Sequence, residues 1–217
     1  MKIAIMQPNF IPWLGYFELM RDVDQFILLD DVQYSKNTWH NRNNLMLKDF
    51  SIFTWSLPIS NLSSSSTFNK IYVNRAAINF KKLHKLFHQN FSDSKNYYLI
   101  EQIISYIQQD NLTFAQLNHI ILQLLKDCLN IKTEILMASD LNVDGSRSQR
   151  IINICDKLGA TRYLATKGAQ NYMEKDDFKK LFSGEIEYFR FSCDYSQKKT
   201  NSRQINLSAL NYLLDFP

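Results

Sequence analysis

The order of elements predicts an α/β protein: a mostly parallel, Rossmann-like sheet with flanking helices and a helical insert. Three observations carry this. Apolar runs at residues 2–5 and 26–29 bracket a helical pattern. Three long helical periodicities fill the middle of the chain, from about 76 to 130. Strand and helix patterns then alternate again towards the C-terminus. Strands alternating with helices argue for a parallel sheet, and such sheets bind ligands outside the carboxyl ends of their strands.

The first strand leads into Met6-Gln7-Pro8-Asn9-Phe10-Ile11-Pro12-Trp13-Leu14-Gly15-Tyr16, a polar loop that opens a helix. The second strand ends in Asp30-Asp31. Residues 31–44 form a polar, aromatic loop with no clean period. Residues 51–57 are a third strand closed by Pro58, 60–67 a serine-rich surface loop, and 71–73 a short strand. Ala76, Phe80, Leu83 and Phe87 mark one helix face. Tyr97, Ile100, Ile103, Ile104 and Ile107 mark a second. A third runs from Phe114 to Cys128, with apolar residues at i, i+3, i+4 and i+7. Thr113 followed by Gln116 is a capping box for it. This helical middle is expected to cover one face of the sheet or to form a lid.

After it, residues 133–137 read as a strand and 147–158 as a helix ended by Gly159. Residues 161–165 are a strand, followed by a loop at 166–171. A helix then carries Glu174, Asp176 and Asp177 in its first turn, where acids suit the dipole. Residues 185–191 alternate as a half-exposed strand does. Asn206 caps a last helix at 207–214. The whole chain, 1–217, is expected to be a single α/β domain. It shows no internal repeat, and no GxGxxG or Walker loop occurs among its five glycines.

The net charge of +4 is mild and the basic residues are scattered. Lys198-Lys199 with Arg203 is the one dense patch. That excludes the basic stripe of a nucleic-acid binder, while leaving weak attraction for phosphorylated ligands. Cys128, Cys155 and Cys193 are far apart and form no CxxC, which favours buried free thiols. The N-terminus has no signal-peptide layout and no apolar run approaches a membrane span. A soluble cytoplasmic protein is expected, without membrane insertion.

Several side chains can carry chemistry. Gln7 and Asn9 sit at a strand end, where amides offer both donors and acceptors, or else satisfy the loop backbone that Pro8 and Pro12 stiffen. Asp30 and Asp31 point to opposite faces of an extended segment, so each acts singly, as a base, as an amine anchor, or as a loop cap or ion-pair partner. Between Lys36 and Asn44, Arg42 can fork onto an anion, Trp39 can stack on a ring, and His40 can move a proton. The other reading is an exposed loop with an anchoring tryptophan. His84 and His88 are one helical turn apart but lack a third zinc ligand. His119 reads as partly buried and structural, and no metal ligand set is assigned. Lys167, Gly168 and Tyr172 follow a strand directly; so do Tyr195, Ser196 and Gln197. Gly168 permits close backbone approach and Lys167 can neutralise phosphate.

The run from Gln7 to Phe17, then Leu29-Asp30-Asp31-Val32-Gln33-Tyr34-Ser35-Lys36, then Trp39 with Asn41-Arg42-Asn43, closely resembles the WbqC-like family. The likeness continues through Leu158-Gly159-Ala160, Tyr163-Leu164, the Gly168 loop with Tyr172, Tyr195-Ser196-Gln197 and Leu207-Ser208. Many relatives carry histidine where this chain has Met6. The resemblance implies a role in bacterial surface-polysaccharide (O-antigen) synthesis, with transfer of an acyl or aminoacyl group, glycine among them, to an amino sugar or nucleotide-linked sugar. The partners would then be a small-molecule donor and a sugar acceptor. On that reading Asp30 or Asp31 is the base or amine anchor, and Gln7, Asn9 or Asn43 donates to the oxyanion. Arg42 and Lys167 hold phosphate, and Trp39 and Tyr16 pack on rings. Pro8, Trp13, Lys36, Asn41, Gly168, Tyr172, Tyr195 and Gln197 complete the expected substrate surface. No cofactor is named. A non-catalytic glycan or nucleotide-sugar binding protein is the rival reading. A looser similarity to nucleotidylyltransferase-type folds suggests an adenylate-forming amide ligase, although the paired histidines of those enzymes are missing.

Overall fold

Residues 1–36, 38–60, 62–63, 65–191 and 207–214 are described by the computed structural model, the side chains at 171, 172, 174 and 175 excepted. In chain order the first half holds β1 (Lys2–Met6), α1 (Leu14–Arg21), β2 (Gln25–Leu28), β3 (Arg42–Met46), β4 (Ile52–Ser56), β5 (Ile59–Ser60) and β6 (Tyr72–Val73). The helical middle is α2 (Phe80–Phe91), α3 (Tyr98–Gln108) and α4 (Phe114–Cys128). Then come β7 (Glu134–Met137), α5 (Arg147–Leu158), β8 (Arg162–Ala165), α6 (Lys167–Lys175), α7 (Phe178–Leu181), β9 (Glu185–Tyr188) and α8 (Ala209–Leu213).

Five strands form one all-parallel sheet in the order β7-β2-β1-β8-β9. The chain moves outward from β1 through β2 to β7, then returns to lay β8 on the other side of β1. The strand order therefore reverses between β1 and β8, the topological switch point at which doubly wound sheets open a crevice. The α/β expectation holds.

Period-two alternation places the core on both faces. Ala4, Phe26, Leu28, Ile135 and Leu164 face α1, α3 and α4 in one apolar cluster. Ile3, Ile5, Ile27, Tyr163 and Ala165 face α5, α6 and α7 in another. A strand buried on both sides must be apolar throughout, which is why the short runs at β1 and β2 were readable. The helical middle covers the first face: Leu99, Ile103, Phe114, Leu117 and Ile121 are all fully buried there. The Thr113–Gln116 capping box forms, and Gly159 closes α5 with φ of 66°.

Three local expectations are corrected. The supposed loop at 31–44 contains β3, which pairs antiparallel with β4, Asn43 opposite Trp55 and Leu45 opposite Phe53. Its Arg-Asn-Asn start is poor strand sequence, and pairing overrides that weak preference. The supposed loop at 166–171 is mostly the first half of α6. Gly168 and Asn171 are weak helix formers, but buried Ala169 and Met173 dock this helix on the sheet. Consequently Glu174 sits near the end of α6, and Asp176 and Asp177 lie between α6 and α7, none of them opening a long helix. The last helix is capped by Ser208, whose hydroxyl oxygen accepts from Leu210 N–H and donates to Ile11 C=O at 2.6 Å. Asn206, the expected cap, lies outside the described residues, as do Cys193 and the patch of Lys198, Lys199 and Arg203.

Candidate functional site

At the switch point the carboxyl ends of β1, β2 and β8 surround a cavity of about 670 Å³, a size that suits a small-molecule ligand. From β1 and the loop after it come Met6, Gln7 and Asn9. Leu29, Val32, Gln33 and His40 line it beyond β2. Thr166, Gly168 and Ala169 come from the β8–α6 junction, and Asp176 from the turn after α6. Arg147, Arg150 and Ile151 come from α5. The loop after β1 is bent sharply: Ile11 has φ of 38°, a conformation costly for a β-branched residue. Strain of this kind gathers beside functional sites.

His40 is the imidazole on the wall. Its Nδ1 lies 2.7 Å from Oδ1 of Asn9, and its ring meets Phe68 edge-to-face at a centroid distance of 4.9 Å. Burial lowers its pKa from the ordinary 6.5, against the smaller effect of a hydrogen bond to the Pro8 backbone. The imidazole is therefore neutral at pH 7. With Nδ1–H donating to Asn9, the lone pair sits on Nε2, the form a general base requires.

The two aspartates are held differently. Asp30 is only 1% exposed, and its Oδ1 accepts from Ser139 N–H at 2.9 Å. Burial raises its pKa, outweighing that hydrogen bond, which acts to lower it. Its Oδ2 has no partner among the described residues. Asp31 is engaged by the Arg150 guanidinium, which also donates to Val143 C=O. Asp31 thus ties the β2 end to α5. Neither carboxylate lines the cavity. The Asp30 carbonyl accepts from Asn69 N–H at 2.9 Å.

Several of the other expected substrate residues make contacts within the protein. Tyr16 is buried, donates to Gln7 C=O at 3.1 Å, and has its pKa raised by that burial. It is a core ring. Asn41 donates to Leu57 C=O at 2.7 Å, and Arg42 Nε to Thr38 C=O at 3.1 Å. Asn43 is buried, donates to Phe10 C=O at 3.5 Å and accepts from Asn44 N–H at 2.9 Å. These donors satisfy the backbone where the β3–β4 hairpin crosses the β1 loop, as buried carbonyls demand. Trp13 lies over Gly15 and meets Phe191 at 4.6 Å. Pro8 is buried; Lys36, Trp39 and Lys167 are exposed and off the wall. Gly168 has an ordinary φ, and a Cβ there would meet only Thr166 at 3.9 Å. Its contribution is an open wall rather than close backbone approach. The Tyr172 side chain, Tyr195 and Gln197 lie outside the described residues.

The two arginines were missed. Arg147 and Arg150 stand three apart in the first turn of α5, on one face. A cation there opposes the helix dipole. A pair of them at a helix start, just after Gly145, was the available signal. No group of three or more metal-ligating side chains gathers among the described residues. His84 and His88 are exposed on α2. Burial pushes the Cys155 thiol up to about 12, an inert core thiol. No described helix is long and apolar enough to cross a membrane.

A five-stranded parallel sheet with a ligand-sized cavity at its reversal point defines a doubly wound α/β protein. The chain belongs to the WbqC-like protein family, which it matches over residues 7–216. It is 29% identical to the uncharacterized protein Rv1507c of Mycobacterium tuberculosis over 203 residues, 90% of this chain and 86% of that one. No solved structure gives a significant match.

Proposed function

We propose that this protein is a transferase of bacterial surface-polysaccharide synthesis that passes an acyl or aminoacyl group to the amine of an amino sugar. The carrying observation is His40: a neutral imidazole, anchored by Asn9 on the wall of the switch-point cavity. Amide formation requires a base for the attacking amine and donors for the carbonyl oxygen. His40 Nε2 takes the proton as nitrogen attacks the acyl carbon, and returns it to the donor's sulfur or oxygen as the tetrahedral adduct collapses and the C–S or C–O bond to the donor breaks. The Gln7 side chain, on the same wall with no hydrogen-bond partner among the described residues, donates to the oxygen. On this reading Asp30 and Asp31, which stand off the cavity wall, leave the proton transfer to His40.

The test is turnover with a panel of nucleotide-linked and free amino sugars against acyl thioester and aminoacyl donors, read as an added mass on the sugar. Wild-type protein is expected to give acylated product with at least one pair. His40→Gln should lose most of the rate while still binding the sugar. A His40→Gln variant that turns over at the wild-type rate overturns the base assignment.

A further inference from the structure

We infer that the cavity takes a diphosphate, held by Arg147 with Arg150 behind it, so that the substrate is a nucleoside diphosphate derivative. This rests on the reading of the cavity as the substrate site, and it adds the ligand's charge and class.

The observations are these. Arg147 and Arg150 both line the cavity. Arg150 is nearly buried and committed, with its charge met by Asp31. Arg147 is exposed on the wall, and no carboxylate among the described residues pairs with it. Asp176, the one acid on the wall among the described residues, accepts from the Ser148 hydroxyl at 2.7 Å and forms no ion pair with Arg147 there. A guanidinium that no carboxylate pairs among the described residues, on the wall of a half-enclosed site, is free to meet an anion. Its planar fork suits phosphate oxygens.

The position is unfavourable to the protein in two ways. A cation in the first turn of a helix opposes the dipole. Arg147 also has φ of 49°, a left-handed conformation that glycine or asparagine takes far more readily. Neither feature helps α5, and no hydrogen bond of the Arg147 side chain to the described residues explains it. A residue held against local preference beside a cavity points to a ligand as its reason. Arg147 offers its free fork to the phosphates, while Arg150, paired with Asp31, fixes the wall behind it. A cavity of about 670 Å³ also leaves room for the nucleoside and the sugar beyond the phosphates.

The experiment is calorimetric titration of the intact protein with UDP and with inorganic pyrophosphate, using uridine as the uncharged control. UDP and pyrophosphate are expected to bind, with uridine at least ~10-fold weaker, and binding should weaken as salt rises. Arg147→Gly removes the guanidinium and suits the left-handed backbone. It should weaken UDP ~10-fold or more while leaving the melting temperature unchanged or raised. Arg147→Lys should retain part of the affinity. Equal binding of UDP and uridine, no binding of either phosphate probe, or unaltered UDP affinity in Arg147→Gly overturns the inference. The two readings fail separately. Acylation of a phosphate-free amino sugar without UDP binding leaves the transferase standing and removes the diphosphate site. Arg147-dependent UDP binding without any acyl transfer does the reverse.

Discussion

Asn9 anchors His40: the amide oxygen of one lies 2.7 Å from Nδ1 of the other, across a gap of 31 positions in sequence. The contact is fixed from both sides. Phe10 N–H, next to Asn9, donates to the His40 carbonyl at 2.9 Å, so the β1 loop and the segment before β3 hold each other by backbone and side chain. A ring fixed at one nitrogen presents the other in a defined tautomer. A polar residue at a strand end thereby acts through its neighbour rather than on a ligand.

Replacing Asn9 by Asp sets a carboxylate against Nδ1, which favours the charged imidazole. The His40 pKa should then move from below the ordinary value of 6.5 to above it. Proton NMR titration of the four histidines reads this directly, with His40→Gln assigning the resonance. A His40 value unchanged in Asn9→Asp would show that the contact does not persist in solution.

The same lowered pKa makes stability depend on pH. The unfolded chain binds a proton at His40 near 6.5, whereas the folded chain resists it. Unfolding therefore takes up protons in the window just below 6.5, and stability falls as pH drops through it. His119 has the same sign, also from burial, with the Asp140 and Asp30 charges opposing. Melting curves between about pH 7.5 and 5 should show the decline, and His40→Gln should flatten it in part. An unaltered slope in that variant would assign the effect to His119 or elsewhere.

Asp30 has the opposite linkage. Its folded pKa is raised above the unfolded 3.8, so the folded state holds the proton more tightly. Ionisation at higher pH then costs stability, and the cost is fully present at neutral pH. Asp30→Asn keeps an oxygen for Ser139 N–H and removes the buried charge. The variant is expected to be at least as stable as wild type at pH 7, with its advantage shrinking as pH falls towards 4. It should also retain turnover. Loss of activity with stability preserved would return Asp30 to the chemistry.

The sheet was legible because burial on both faces leaves uniform apolar runs, and the helical middle because its period is long and regular. The Gln7–Asn9 loop and the Gly168 junction were legible for a different reason: polar residues directly after apolar runs fall at the carboxyl edge. The roles inside that edge were not. Asn41, Arg42 and Asn43 look like a donor surface in sequence, yet they serve backbone carbonyls whose positions exist only after the hairpin folds. His40 gained its place through Asn9 and Phe68, both distant in sequence. Arg147 and Arg150 reach the cavity because β8 returns to the side of β1, a crossover that no local pattern encodes.

Gly15 is required by its neighbour. A Cβ there would stand 2.2 Å from the Trp13 ring, well inside contact distance. Gly15→Ala would gain about 1 kcal/mol of helix propensity on an open helix. Here it must displace an indole that also packs on Phe191, and overpacking of this kind costs roughly 1–3 kcal/mol. Urea denaturation should show net destabilisation. In Trp13→Ala the same glycine change should become neutral or stabilising, because the clash is gone. Destabilisation of equal size in both backgrounds would mean that Trp13 is not the obstacle.

The Asp31–Arg150 pair should couple strongly, because it joins the end of β2 to α5 in a partly desolvated place. The Arg150 side chain is 10% exposed and the Asp31 side chain 22%. Removing one member of a buried pair leaves the other charge uncompensated, at roughly 3–5 kcal/mol when burial is complete. Asp31 retains some solvent, so Arg150→Met should cost less, about 2–3 kcal/mol, including the lost donation to Val143 C=O. Asp31→Asn keeps an acceptor oxygen for the guanidinium and should cost about 1–2 kcal/mol. The double variant strands no charge, so its loss should fall short of the sum by at least ~0.5 kcal/mol. Both single variants should also weaken UDP, since Arg147 sits one turn before Arg150 and loses the tether that sets α5 against the cavity. Urea titrations of the four proteins give the cycle, and calorimetry gives the binding. Strict additivity would make this a surface-like ion pair with no hold on α5. Unchanged UDP affinity in Arg150→Met would show that Arg147 keeps its position without it.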